Sequence, residues 1–214
     1  MFNLTLEIIA TIAFAAAGAL MAIRKEMDLL GVCILGVISA CGGGVIRDCL
    51  LGATPPVMFV NPVYATTAII TSVVVFVLVA ANSKITETAP FEHALIITDA
   101  IGLGLFTIVG VDAAIVAGYV DSWMFAVTLG VLTGVGGGAM RDVLAGETPF
   151  IFAREIYASA SLVGAALYLA TRNYIGEHYS VWIWSAFIAA FRLLAAYRKW
   201  NLPKARRYSQ EKSE

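Results

Sequence analysis

Long apolar runs joined by short polar links set the pattern of this chain. Seven can be marked, at about Leu4–Ile23, Leu29–Leu50, Pro62–Ala81, Ala94–Val116, Ser122–Leu144, Glu155–Thr171 and Ser180–Tyr197. A helix needs about 20 residues at 1.5 Å rise to cross the hydrocarbon of a bilayer. Six runs are uncharged or nearly so over most of that length, and each predicts a spanning helix. The seventh is interrupted by Arg192 and carries Trp182, Trp184 and Phe187, a composition suited to lying partly at a membrane interface. The longest link, Asn82 to His93, gathers Asn82, Ser83, Lys84, Glu87 and Glu92 around the helix breaker Pro90. The first run lacks the basic start and small-residue cleavage site of a signal peptide and has Glu7 inside it, so it reads as a retained span.

Charge changes the picture through its placement. Only 14% of the residues are charged and 60% are hydrophobic, with mean hydropathy +0.84. A soluble domain carries roughly 25% charged residues. Residues 1–199 therefore read as one transmembrane domain, and 200–214 as a basic cytoplasmic tail that marks topology and meets lipid headgroups. Six of the 14 Lys and Arg fall in the last 17 residues: Arg198, Lys199, Lys204, Arg206, Arg207 and Lys212. With the tail cytoplasmic, seven spans place the N-terminus outside. Cytoplasmic loops then hold Arg24 and Lys25, Lys84, and Arg154, while external loops hold Arg172 alone.

One pattern occurs twice. Gly42-Gly43-Gly44-Val45-Ile46-Arg47-Asp48 recurs as Gly136-Gly137-Gly138-Ala139-Met140-Arg141-Asp142, each copy followed by a Gly and then Thr-Pro (Gly52, Thr54, Pro55; Gly146, Thr148, Pro149). The match is wider than the glycines. Phe14 and Gly18 match Phe106 and Gly110, Glu7 matches Asp99, and Tyr64 matches Tyr157. Each half holds three spans, at about 4–81 and 94–171. Three is odd, so the halves enter the membrane from opposite sides, as an inverted repeat. The seventh helix, about 180–197, stands outside it. The expected fold is an all-α membrane protein of seven transmembrane helices.

The chemistry follows from the cost of polar groups in lipid. Glycine costs about 1 kcal/mol against alanine within a helix, and three in a row invite a kink or a break. Freed backbone is tolerated in a membrane only inside protein or beside water. Gly42, Gly43, Gly44, Gly136, Gly137 and Gly138 are therefore candidates for two kinks that frame a wet passage. Arg47, Asp48, Arg141 and Asp142 are its candidate polar or gating groups. Residues i and i+1 on a helix point about 100° apart. That spacing sends each Arg to a partner other than the Asp beside it: across the symmetry axis, or to the supporting carboxylates Glu7 and Asp99. Close packing is the competing reading of glycine, and it suits Gly18, Gly31, Gly36, Gly102 and Gly104. Whether each Arg faces a path or braces its wall stays open at this level. The Thr-Pro steps read as turns that start the next element. Cys33, Cys41 and Cys49 step by eight residues, show no metal-ligand spacing and read as small apolar fillers. No metal or cofactor is expected. No catalytic Ser-His-Asp set, metal cluster or nucleotide loop is present in the sequence, so an enzyme or a nucleic-acid partner is not expected.

Paired GGGxxRD motifs in a seven-span chain with a three-plus-three inverted repeat resemble the bacterial relatives of the trimeric intracellular cation (TRIC) channels, over about residues 5 to 198. The resemblance implies a homotrimer of the bacterial inner membrane with one hourglass pore per protomer, passing monovalent cations, chiefly potassium and sodium. On that likeness the kink glycines are Gly42–Gly44 and Gly136–Gly138, and the polar positions beside them are Arg47, Asp48, Arg141 and Asp142. Animal members carry a lysine- and acid-bearing motif in place of part of this pattern, so their gating does not transfer. Bacterial members are also described as glycine transporters. Broken helices suit a carrier for a small zwitterion equally well, with a helix N-terminus for the carboxylate and Asp48, Asp142 or Asp99 for the amine.

Overall fold

The computed structural model describes residues 4–81, 88–153, 156–198 and 200. These form α1 (Leu4–Arg24), α2 (Leu29–Leu50), α3 (Val57–Val60), α4 (Pro62–Ala80), α5 (Ala89–Val116), α6 (Trp123–Leu144), α7 (Phe150–Ala153), α8 (Ala158–Ile175) and α9 (Glu177–Arg198). Among the described residues the protein is all-helical, and six of the seven long helices are long and apolar enough to cross a membrane. The one outside that set is α8, whose last turn holds Arg172 and Asn173. Asn82, Ser83, Lys84, Glu87, Arg154, Glu155, Lys199 and the tail from 201 lie outside the described residues.

Local signals start and stop the helices. Asp28 caps α2 by accepting the Gly31 N–H at 2.8 Å, and Asn61 caps α4, with Pro62 at its first position. The ends of α2 and α6 are twins. Gly52 (φ 71°) and Gly146 (φ 69°) take the left-handed conformation, and the next residues, Ala53 and Glu147, donate back to the carbonyls of Asp48 and Asp142 at 2.9 Å each. The four-residue helices α3 and α7 then follow the Thr-Pro steps, which the sequence shows only as turns.

At the centre, α1 packs on α5 and α2 on α6. Phe14 stacks on its repeat mate Phe106, with centroids 5.6 Å apart. An added Cβ at Gly43 would run into the Thr133 carbonyl, and one at Gly137 into the Ser39 carbonyl, its mate. Gly42 meets Met140 as Gly136 meets Ile46. Such reciprocity is what a local two-fold relation between the halves produces.

This contact corrects the expected helix breaks. Both α2 and α6 run unbroken through their triple glycines. Gly43 and Gly137 let two backbones touch where any side chain would hold them apart, and with Gly42 and Gly136 they serve the crossing and not an interruption. Gly18 against Gly36, and Gly110 against Gly130, do the same within each half. The links between helices also sort the ends onto two faces. Arg24 with Glu92 and Glu147, and His93 with Tyr197, mark one face; Arg172 with Asp112 marks the other.

Candidate functional site

Two buried ion networks sit at the C-terminal ends of α2 and α6, on opposite sides of the glycine crossing. In the first, Arg47 donates through Nε to Asp48 Oδ1 at 2.8 Å, and its Nη2 lies 2.8 Å from the same oxygen. Its Nη1 is 3.9 Å from Glu7 Oε1 of α1. Asp48 Oδ2 accepts the backbone N–H of Val57, which starts α3, at 2.8 Å. The Tyr64 hydroxyl of α4 donates to Glu7 Oε2. In the second, Arg141 holds Asp142 Oδ1 through Nε at 2.9 Å and Nη2 at 2.8 Å, and holds Asp99 Oδ1 of α5 through Nη1 at 2.8 Å. Asp142 Oδ2 accepts the Phe150 N–H at the start of α7, at 3.0 Å. The Tyr157 hydroxyl donates to Asp99 Oδ1 at 3.3 Å.

Asp48 and Asp142 thus do two jobs. Each neutralises an Arg, and each satisfies a backbone N–H that the tight turn leaves without a helical partner. That second job explains why the motif pairs Asp with a short helix eight or nine residues on. The expectation that each Arg passes over its neighbouring Asp is corrected. The Arg side chain is long enough to curl back along the helix end, so the 100° between Cβ directions does not keep the groups apart. Glu7 and Asp99 are brought to the Arg residues as the sequence suggests, Asp99 in full hydrogen-bond contact and Glu7 at longer range.

The networks differ in cover. Arg141, Asp99 and Asp142 are fully buried. Helix α9 lies over them and contributes Arg192, itself 2% exposed, with its guanidinium 5.2 Å from the Tyr157 ring centroid and 5.9 Å from that of Phe150. Arg141 lies over the same Phe150 ring at 5.5 Å. Among the described residues no element takes the place of α9 beside Arg47. A cavity of about 330 Å³ opens there, lined by Glu7, Arg47, Asp48, Val57, Tyr64 and Val116 among others. A smaller recess of about 30 Å³ runs inward from it past Thr11 and Cys41 to Gly44. At Gly44 an added Cβ would meet only Arg47 Nη2, at 4.0 Å, whereas at Gly138 it would meet the Tyr157 hydroxyl at 2.8 Å. Gly42 and Gly43, like Gly136 and Gly137, belong to the crossing and not to the cavity wall. Cys41 lines the recess; Cys33 and Cys49 lie outside it, and all three are free thiols.

Sequence reasoning missed three members of these networks. Tyr64 and Tyr157 stand out only as matched residues that open spans, and Arg192 only as an interruption of an apolar run. The signal was there: a charge inside a membrane segment calls for a buried partner.

The family described as Glycine transporter matches residues 4–80 and 96–173, one block over each half. The UPF0126 inner membrane protein YadS of Escherichia coli K12 is 40% identical over 163 residues, covering 76% of this chain and 75% of the relative. A prokaryotic TRIC channel crystal structure aligns with TM-score 0.84 and 32% identity, covering 94% of this chain and all of that one. The TRIC orthologue from Rhodobacter sphaeroides aligns with TM-score 0.83 and 32% identity, over 92% of this chain and 98% of that one.

Proposed function

The chain belongs to the Glycine transporter family and shares its fold with the TRIC channels, and from that premise we propose that it is a cation channel of the bacterial inner membrane. Potassium and sodium are the proposed permeant ions. Each protomer has its own path, framed by α2 and α6, and three protomers associate. All seven long helices span, with the halves inverted about an axis in the membrane plane, the N-terminus outside and the basic tail cytoplasmic. The observation that carries this reading is the placement of polar groups. A cavity opens from one face beside Glu7, Arg47 and Asp48, a smaller recess beside the same residues reaches Gly44, and the backbone contact of Gly43 and Gly137 separates them from the second charged network. Polar groups lined up through a bilayer at this cost belong to a path for a polar species. The glycine contact closes the path here. Parting α2 from α6 would open it, and a contact without side chains can part with little rearrangement.

Enzymatic chemistry has no support in the networks, where Asp48 and Asp142 are committed to arginines and helix starts, and Glu7 and Asp99 to tyrosines and the same arginines. The second reading, a carrier for glycine or another small zwitterion, is favoured by the description of the matching family. Single-channel recording of the purified chain in planar bilayers separates the two. Discrete current steps in potassium chloride are expected. Saturable glycine uptake without such steps would replace the channel with the carrier.

A further inference from the structure

The antiparallel contact of α2 and α6 sets how far each helix reaches. Gly42 meets Met140, Gly43 meets Gly137, and Ile46 meets Gly136, so one number falls as the other rises. That register brings Asp48 level with about Val131, and so about 12 Å along the axis from the start of α6 at Trp123. Gly36 of α2 meets Ser72 of α4, which brings Pro62, the first residue of α4, level with about Ile46. The lengths agree. Helix α5, with 28 residues, is about 42 Å long, the depth of a bilayer with its headgroups, and α4, with 19, is about 28 Å. Exposed Tyr119, Trp123, Tyr174 and Tyr179 stand on the face where α5 and α8 end and mark the headgroup level there. Helix α3 and the start of α4 lie below that level.

Residues 57–64 have two sides. Outward they show Phe59 and Val60, 69% and 66% exposed, and residues 52–80 carry no charge. Inward they give the Val57 N–H to Asp48 and the Tyr64 hydroxyl to Glu7. Both carboxylates of the first network thus take a hydrogen bond from one short segment. At the other face α7 repeats the plan, with Phe152 exposed and the Phe150 N–H on Asp142. There the Phe150 ring lies 5.5 Å from the Arg141 guanidinium and 5.9 Å from that of Arg192, so α9 holds the segment from within. Val57 stands in the place of Phe150 and offers no ring to hold.

We propose that residues 57–64 form a lipid-contact lever. Phe59 and Val60 rest among the phospholipid acyl chains of the leaflet on that face, below the headgroups. The thickness of that leaflet sets how firmly α3 and α4 hold Asp48 and Glu7. Uncharged apolar surface at that depth is matched by acyl chains. A short apolar edge makes the bilayer thin beside it, at a cost for each Å of mismatch. A thicker bilayer raises that cost, and the strain falls on the segment that joins α2 to α4. The inference rests on the spanning arrangement proposed above, and not on which species passes.

The first test is depth. In the full chain with Cys33→Ala, Cys41→Ala and Cys49→Ala, a nitroxide is placed through Phe59→Cys or Trp123→Cys and the protein is put into dioleoylphosphatidylcholine vesicles. The label at 59 should collide with oxygen and not with a water-soluble nickel chelate, and should lie about 10 Å deeper than the label at 123. Equal depths, or chelate contact at 59, would overturn the lever. So would shielding from both reagents, which would seat a second copy there. The second test is melting of the full chain in vesicles of dimyristoleoyl- or dierucoylphosphatidylcholine. The melting temperature should fall by several degrees in the longer chains, and Phe59→Ala should cut that fall to about half or less. Val60→Ala should act in the same direction and keeps the measurement open if Phe59→Ala does not fold. Ile70→Ala, on the exposed face of α4 outside the segment, should leave the fall unchanged. No fall in the unmodified chain, an undiminished fall in the Phe59 and Val60 variants, or an equal cut in Ile70→Ala would overturn the lever. Bilayer currents with equal label depths remove the lever and leave the channel; the expected depths and melting, without currents, do the reverse.

Discussion

The first and second networks are built from equivalent residues, yet one opens onto a cavity and the other is closed over. Glu7, Arg47, Asp48 and Tyr64 stand at the mouth of a cavity, and Asp99, Arg141, Asp142 and Tyr157 are sealed beneath α9. The repeat fixes the motif, and the helix outside the repeat decides what the motif does. The largest test of that contrast removes the central cation from each. Arg141→Met leaves Asp99 and Asp142 fully buried without the guanidinium that pairs them, and a broken buried pair costs about 3–5 kcal/mol. Arg47→Met leaves its carboxylates beside the cavity, and the cost should be nearer that of a lost charged hydrogen bond, about 1.5–3 kcal/mol. Equal losses in thermal or denaturant unfolding would mean that the cavity does not hydrate the first network.

The next test works within one helix. Gly43→Ala, or Gly137→Ala, places a methyl against a carbonyl of the facing backbone, which cannot swing away as a side chain can. Overpacking of this kind costs about 1–3 kcal/mol. Gly44→Ala, one residue on, meets open space and should gain up to about 1 kcal/mol from helix propensity. Opposite signs at adjacent glycines would confirm that the motif contains two kinds of glycine, packing and cavity wall. The same sign at both would return the motif to a plain flexible segment.

That division is also where the sequence stops being legible. The helices read well because each apolar run is long and its ends carry caps and glycines, as at Asp28 and Gly52. The pairing of halves read well because the GGGxxRD motif, Glu7 with Asp99 and Tyr64 with Tyr157 all keep nearly one offset. What glycine does is not written in glycine. Propensity alone predicts a break at Gly42–Gly44, and the facing helix, which brings Thr133 and Gly137 against it, decides for an unbroken one. The Arg-Asp contact was lost to an argument from Cβ directions that suits short side chains and not Arg. Helices α3 and α7 are too short to leave a periodic pattern, and their role emerges only when their first N–H groups are seen to need Asp48 and Asp142. Arg192 is legible as costly, but its destination depends on how α9 folds back over α5 and α8.

The smallest test concerns the rim. On the face of the second network, Lys25 reaches Glu147 at 2.6 Å, and Arg24 reaches Glu147 at 3.7 Å and Glu92 at 3.1 Å, tying the turn after α1 to the end of α6. The matching rim of the first network, Gly52 to Pro56, carries no charge and stays open. The hydrogen bond from Lys25, then its charge, holds the Glu147 carboxyl below the usual 4.5, with Arg24 adding to the effect. A carboxyl with a lowered folded pKa binds fewer protons in the folded state than in the unfolded one. Its contribution is therefore present above about pH 4.5 and is lost as pH falls through the lower folded value. Melting temperature followed from neutral to acid pH should decline less steeply below that point in Glu147→Gln than in the unmodified chain, and Lys25→Ala should flatten it in the same way. The rim lies in solvent, so the change should be the smallest of the three and should shrink in high salt. An acid decline identical in all three proteins would show that these ion pairs do not hold the second face shut, leaving α9 and Arg192 as the seal.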